Sequence, residues 1–242
     1  MMIGYPLRYT QSGLIFMGPE DDLDTVVDIM LDTQYGEEFC IAADWSTDFI
    51  ARLMQAGFLV MSEQFPVDGE NDPGYTMEAI VLPKLHLCRS VLFFDELHVK
   101  KSVRRFLDRY ELRFDSDFDA IVQNCVQTHG DGWLTPALLD AMGAIRAGKA
   151  GSVRPVSFAL YREGRLVAGE FGVISGRVYT SYSGYHSEDN AGTVQMILMI
   201  RWMEQAGFAF LDFGMPLDYK DDLGARNIGP REFVRLFRAA RT

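Results

Sequence analysis

Asp212 is the residue in this sequence with the most to explain. It stands in GFAFLDFGMP, residues 207–216, where Phe208, Phe210, Leu211 and Phe213 describe a short apolar strand that Gly214 and Pro216 then break. A lone carboxylate there has two uses. Asp begins turns by accepting a hydrogen bond from the backbone two residues on. Strand ends in open α/β sheets are also where ligand sites collect. A turn residue accepts replacement by Asn or Ser, whereas a site residue would keep its stability as Asn and lose activity. Glu170, in LVAGEFGVIS, raises a related question. Strand alternation puts Val167, Phe171 and Val173 on one face and Ala168, Glu170 and Gly172 on the other. A carboxylate among apolar residues is costly unless paired or solvated, and Arg177 and His186 are the partners within reach in sequence.

Other reactive residue types are sparse or scattered. His86, His98, His129 and His186 have no metal-ligand spacing. Cys40, Cys88 and Cys125 are far apart with no CxxC pattern, as expected of reduced core thiols in a cytoplasmic protein. Basic residues collect twice. Lys100, Lys101, Arg104, Arg105 and Arg109 lie in HVKKSVRRFLDR, and Arg226, Arg231, Arg235, Arg238 and Arg241 lie in RNIGPREFVRLFRAAR. Such clusters bind phosphates or form solvated helix faces. The overall charge of −11 repels nucleic acid at long range, but it is uneven. Residues 1–78 hold fifteen acids against Arg8 and Arg52, and the rest of the chain is close to neutral.

These residues need elements to position them. Helical spacing of apolar residues predicts helices over 20–34, 46–58, 100–110, 116–127, 135–148 and 190–207. Ser46 or Thr47, Ser116 and Thr135 are the expected caps; Gly57 is a stop, Pro136 opens its helix and Gly148 lies past its end. Residues 67–75 read as a loop, and 77–94 as two strands around Pro83. Residues 155–187 read as three antiparallel strands joined by turns at 163–164 and 175–176. The strand containing Asp212 and a final helix follow. The expected class is therefore α+β: a small acidic N-terminal α+β domain, 1–78, and a domain over 79–242 with a twisted, mainly antiparallel sheet and helices. The order of elements in the second resembles the acetyltransferase (GNAT) fold. A coenzyme A pyrophosphate would need a Gly-rich loop before the long helix, and YHSEDNAGTV offers only Gly192 beside the repelling Glu188 and Asp189. The acyl donor is expected to be something else. No run of about 18 apolar residues is present, so no membrane segment is expected.

Seven stretches carry a family resemblance: VLFFDELHVKKSVRRFL, FDSDFDAIVQNC, GWLTPALLDAM, GRLVAGEFGVISGRVY, DNAGTV, GFAFLDFGMP and LGARNIGPREFVRLF. In this order they resemble the leucyl/phenylalanyl-tRNA–protein transferases. The resemblance implies transfer of an aminoacyl group from a charged tRNA to the N-terminal amine of a protein with a basic first residue. It implies no cofactor and no metal, because the tRNA ester is already activated. A free α-amine, with a pKa of about 7.7–8.0, is partly nucleophilic at neutral pH.

By this resemblance Asp212 is the catalytic acid of an Asp-Cys-Gln motif whose Gln falls on Gly214. The aminoacyl-tRNA would be held by Trp133, Glu170, Tyr182, Ser183, Tyr185, Asn190, Met199, Met203 and Gly214. Its phosphates would meet Lys100, Lys101, Arg104 and Arg105. Tyr182 replaces a family Glu, Met61 a family Trp, and Glu170 an apolar Met that lines the side-chain pocket. Three readings stand at this point: an aminoacyl-tRNA–protein transferase of altered specificity, a family scaffold that binds RNA or protein without catalysis, and another acyl transferase on the same fold.

Overall fold

The computed structural model describes residues 6–68, 75–148 and 153–241. In chain order the elements are β1 (Arg8–Tyr9), β2 (Ile15–Met17), α1 (Leu23–Asp32), β3 (Ile41–Ala42), α2 (Thr47–Ala56), β4 (Leu59–Asp68), β5 (Tyr75–Lys84), β6 (Arg89–Leu92), α3 (Lys101–Arg104), β7 (Glu111–Phe114), α4 (Phe118–His129), α5 (Pro136–Gly148), β8 (Val153–Arg162), β9 (Arg165–Ser175), β10 (Val178–His186), α6 (Ala191–Gln205), β11 (Phe210–Gly214), α7 (Asp218–Asp222), β12 (Arg226–Ile228) and α8 (Pro230–Ala240). The fold is mixed α+β. It divides into two compact units: Met1–Leu87 with Asp131–Gly151, and Cys88–Gly130 with Ser152–Thr242. Among the described residues no helix is long and apolar enough to cross a membrane.

The first unit carries a five-stranded sheet in the order β1-β2-β3-β5-β4. β4 and β5 pair antiparallel along their whole length, from Leu59↔Lys84 to Asp68↔Tyr75. The charge boundary at 78/79 therefore falls inside β5, and the unit runs on to Leu87. It also takes in α5, which packs on α2. Both helices are amphipathic and bury one face: Phe49, Ile50, Leu53 and Met54 from α2, Leu138, Met142 and Ile145 from α5. Gly57 ends α2 in the left-handed conformation, φ 99°, that glycine adopts without a Cβ penalty. Pro83 does not divide two strands as expected. β5 passes through it, the Pro83 carbonyl accepts the Cys40 N–H at 2.9 Å, and the chain breaks only after Lys84. The loop expected at 67–75 lies largely outside the described residues, and β4 and β5 take its two ends.

The second unit carries a seven-stranded sheet in the order β12-β6-β11-β10-β9-β8-β7. β10 and β11 run parallel, and the other neighbours in this sheet are antiparallel. β8, β9 and β10 form the expected meander. Its second turn is Gly176–Arg177 rather than 175–176, because Ser175 still pairs with Val178. Helices cover both faces of the meander. A Cβ on Gly169 would stand 2.7 Å from Ile121 of α4, so the face of Gly169 and Phe171 belongs to α4. Ala168, Tyr179 and Leu211 share the core cluster of α6 residues Val194, Ile197, Ile200 and Met203, so the opposite face, which carries Glu170 and Gly172, belongs to α6. Two helix ends differ from expectation. Asp117, not Ser116, precedes α4, and the Ser116 hydroxyl instead bonds the Asp117 carboxylate. Gly148 is the last residue of α5 rather than lying past it. Cys40 and Cys125 are buried thiols, but Cys88 is exposed and not part of a core.

Candidate active site

The sheet of the second unit opens at one point. β10 and β11 pair from Val178↔Phe210 to Thr180↔Asp212 and no further. Beyond that pair β10 stays with β9 as far as His186↔Ala168, while β11 stays with β6 to Gly214↔Ser90. Each strand carries an irregularity at the parting, between Ser181 and Ser183 on β10 and between Asp212 and Gly214 on β11. Bulges bend a strand and redirect its side chains, and they recur beside active sites. Residues flanking this gap are the ones able to meet a ligand from the strand ends.

Asp212 sits at the last paired position and has no exposed surface. Its Oδ1 accepts hydrogen bonds from Arg89 Nε at 2.8 Å and from the Gly214 N–H at 2.9 Å. Its Oδ2 accepts from Arg89 Nη2 at 2.6 Å and from the Thr180 hydroxyl at 2.9 Å. Both readings of Asp212 thus meet in one residue: it makes the turn bond two residues on, and it forms a buried bidentate ion pair. Burial alone would raise its pKa. The Arg89 charge, the two Arg89 hydrogen bonds, and those of Gly214 and Thr180 outweigh burial and hold the carboxyl below the ordinary range. A carboxylate has about four lone-pair positions, and here four donors occupy them. Arg89 was not legible from sequence as part of a site. Its one signal is a single charge opening the apolar run 89–94. Its guanidinium stacks on Phe233 of α8, 4.2 Å from the ring centre, and its Nη1 has no hydrogen-bond partner.

Lys220 approaches from α7. It is buried and donates to the carbonyls of Phe213 at 2.8 Å and Met215 at 2.7 Å, fastening the chain that leaves β11. Burial lowers its pKa to about 8, against the pull of the Glu170 and Asp212 carboxylates. Glu170 is 4% exposed, and the cation acting on it is Lys220, not the Arg177 or His186 expected from sequence. Ser181, Tyr179 and Gln195 stand close enough to favour its charge, yet burial dominates and raises its pKa to about 7. Its Oε1 accepts no hydrogen bond.

The remaining residues singled out in the sequence are distributed as follows. Gly214 closes β11 with φ 72°, a left-handed conformation that a Gln in its place would find strained. Tyr182 occupies the β10 irregularity, its ring 6.2 Å from that of Phe171. Ser183 and Tyr185 follow on β10, and burial raises the Tyr185 hydroxyl to about 12. Asn190 is exposed and precedes α6 in the left-handed conformation without capping it. Met199 is buried beside Gln195, whose amide donates to its sulfur at 3.4 Å, and Met203 is buried in the core. Trp133 belongs to the first unit, where its carbonyl accepts from the Ser62 N–H and hydroxyl, both at 3.0 Å. Lys100, Lys101, Arg104 and Arg105 are exposed around α3. Lys100 pairs with Asp222 at 2.6 Å, and Arg104 Nε donates to the Val99 carbonyl at 3.2 Å.

This is a mixed α+β protein with a candidate strand-end site that combines a saturated buried ion pair with a buried carboxylate, one of whose oxygens accepts no hydrogen bond. The family profile described as leucyl/phenylalanyl-tRNA protein transferase matches residues 91–238, the stretch that holds most of the site. The chain belongs to that family. It is similar to the leucyl/phenylalanyl-tRNA–protein transferase of Pseudomonas entomophila (strain L48), 36% identical over 152 residues, which are 60% of this chain and 65% of the relative. The corresponding protein of Azotobacter vinelandii is 35% identical over 151 residues, with the same coverage. The match thus spans 65% of the length of these curated relatives. A solved structure, that of L-PGS from Bacillus licheniformis, superposes with a TM-score of 0.44 at 13% identity, covering 97% of this chain and 88% of that one.

Proposed function

We propose that this protein transfers an aminoacyl group from a charged tRNA to the N-terminal amine of a protein. The observation that carries the reading is the parting of β10 from β11 beside Asp212, within the stretch shared with the family. In this reading the second unit is a GNAT-like transferase domain working in the cytoplasm, and the gap receives the 3′ end of the tRNA. The ester needs no further activation, so orienting two bound reactants supplies much of the rate. Asp212 acts as a positioning residue: with all its lone pairs engaged, it holds β6, β10 and β11 in the arrangement that frames the gap. Tyr182, Ser183 and Gly214 line the gap, and Tyr185, Asn190, Met199 and Met203 support it from behind. The exposed Lys101, Arg104 and Arg105 meet tRNA phosphates, with Lys100 tying α3 to α7 behind them. An acceptor with a basic first residue suits a protein whose N-terminal third is strongly acidic.

The test is a transfer assay with bulk charged tRNA carrying labelled amino acids and peptides that differ in their first residue. Label passing to a peptide amine, and to peptides with basic first residues above others, is the expected result. Retained tRNA binding with no transfer to any peptide identifies a non-catalytic binding scaffold instead.

A further inference from the structure

Buried polar groups are almost always satisfied, and each exception needs a reason. Among the described residues Glu170 Oε1 and the Tyr179 hydroxyl are both buried without a well-aligned hydrogen bond, although the two side chains, on the neighbouring strands β9 and β10, stand close enough to shift each other's titration. Gly184 pairs with Glu170 across β9 and β10, and a Cβ on Gly184 would stand 3.5 Å from the Glu170 Cβ and 3.7 Å from its Cγ. These are ordinary contact distances, so Glu170 lies alongside Gly184 of β10. On the same face Gly172 yields its place to the Tyr179 ring. Gln195 of α6 and Ser181 of β10 complete a polar lining in an otherwise apolar core. The titratable and charged groups that act on the carboxylate are Lys220 and Tyr219 of α7, Tyr179 of β10 and Cys125 of α4. Lys220 is committed to two carbonyls, so it supplies charge beside Glu170 without filling Oε1.

We infer that Glu170 is the proton acceptor for the attacking amine, reached through the gap between β10 and β11. This rests on the transfer reading above. The acceptor arrives as an α-ammonium. Glu170 Oε1 takes one proton, and the freed lone pair attacks the ester carbonyl carbon. The new C–N bond forms and the ester C–O bond breaks; the second nitrogen proton passes to the leaving ribose oxygen, and Glu170 returns its proton to water. The balance is ammonium plus ester giving amide, alcohol and one proton. A base working near neutral pH needs a pKa near that pH. Glu170, raised to about 7, meets that condition, whereas the saturated Asp212, held below the ordinary range, does not.

The test compares the wild type with Glu170→Gln, which keeps the shape and loses the base. Single-turnover transfer from charged tRNA is measured to a peptide α-amine and to hydroxylamine, which is largely unprotonated at neutral pH and needs no base. The expected result is a loss of about 10²-fold or more on the peptide, with the hydroxylamine rate within a few-fold of wild type. Folding of the variant is read by urea unfolding. The carboxyl binds its proton more tightly when folded, so wild-type stability falls relative to Glu170→Gln as pH rises from about 4.5 to about 7, and the gap then stays constant. Equal loss on both acceptors makes Glu170 structural and overturns the inference. So does a variant that matches wild type on the peptide. A wild type that transfers to neither acceptor overturns the transfer reading itself, and the inference with it.

Discussion

At the scale of the residue, Asp212 changes meaning between sequence and structure. Read along the chain, it is an acid that Asn could replace without loss of stability. Read in space, it is the counter-charge of Arg89, a residue 123 positions away and 1% exposed. Removing one partner of a buried ion pair leaves the other unpaired and costs about 3–5 kcal/mol. Asp212→Asn is therefore expected to destabilise the protein by about that amount at neutral pH, as measured by urea unfolding. The sign with pH follows from the lowered pKa. The contribution is fully present above the ordinary Asp value of 3.8 and is lost as pH falls through the lower folded-state value. Wild type and variant should converge in acid. A difference that stays constant from neutral pH into strong acid would contradict the ion-pair account.

At the scale of the element, the site depends on how closely β9 and β10 approach. Gly172 is the contact that allows it. A Cβ there would stand 2.2 Å from the Thr180 carbonyl oxygen and 2.7 Å from the Tyr179 ring, and Thr180 is also a donor to Asp212. Backbone cannot yield as a flexible side chain can, so Gly172→Ala is expected to cost at least the roughly 1–3 kcal/mol typical of overpacking. It should also disturb the strand that carries Ser181 and Tyr182. Gly143→Ala is the control: it lies in the exposed face of α5 with nothing within 4 Å of its Cβ. Helix propensity predicts a gain there of about 0.5–1 kcal/mol. Thermal unfolding of the two variants in opposite directions is the expected outcome; equal loss in both would mean that the close approach at Gly172 is not what matters.

At the scale of the whole molecule, charge decides what can bind and where. The protein is acidic overall, so under the proposed transfer function attraction to tRNA would have to come from a local surface. Arg104 and Arg105 are exposed at the end of α3, and Lys100 at its start is held to Asp222. Reversing Arg104 and Arg105 to Glu should weaken tRNA binding and flatten its dependence on salt. The expected change is about one log–log unit for each phosphate no longer neutralised, about two in all. Filter binding across a salt series measures both. Unchanged affinity and slope would move the phosphate surface elsewhere, and the exposed arginines of α8 would be the next to reverse.

The sequence determined what is local or periodic. The amphipathic helices, the meander of β8 to β10, the stop at Gly57 and the turn bond of Asp212 all follow from interactions within a few residues. The family was legible for the same reason, because its motifs are contiguous stretches. Tertiary structure decided what depends on distant neighbours. Pro83 belongs to a continuous strand because β4 pairs with β5 through it, and 131–151 joins the first unit because α5 finds an apolar partner in α2. Arg89 and Lys220 join the candidate site, and the contrast between Asp212, with every lone pair engaged, and Glu170, with Oε1 free of hydrogen bonds, appears only in the fold. Burial, ion pairing and hydrogen-bond saturation are properties of surroundings, and no spacing along a single strand encodes which charge will stand opposite it.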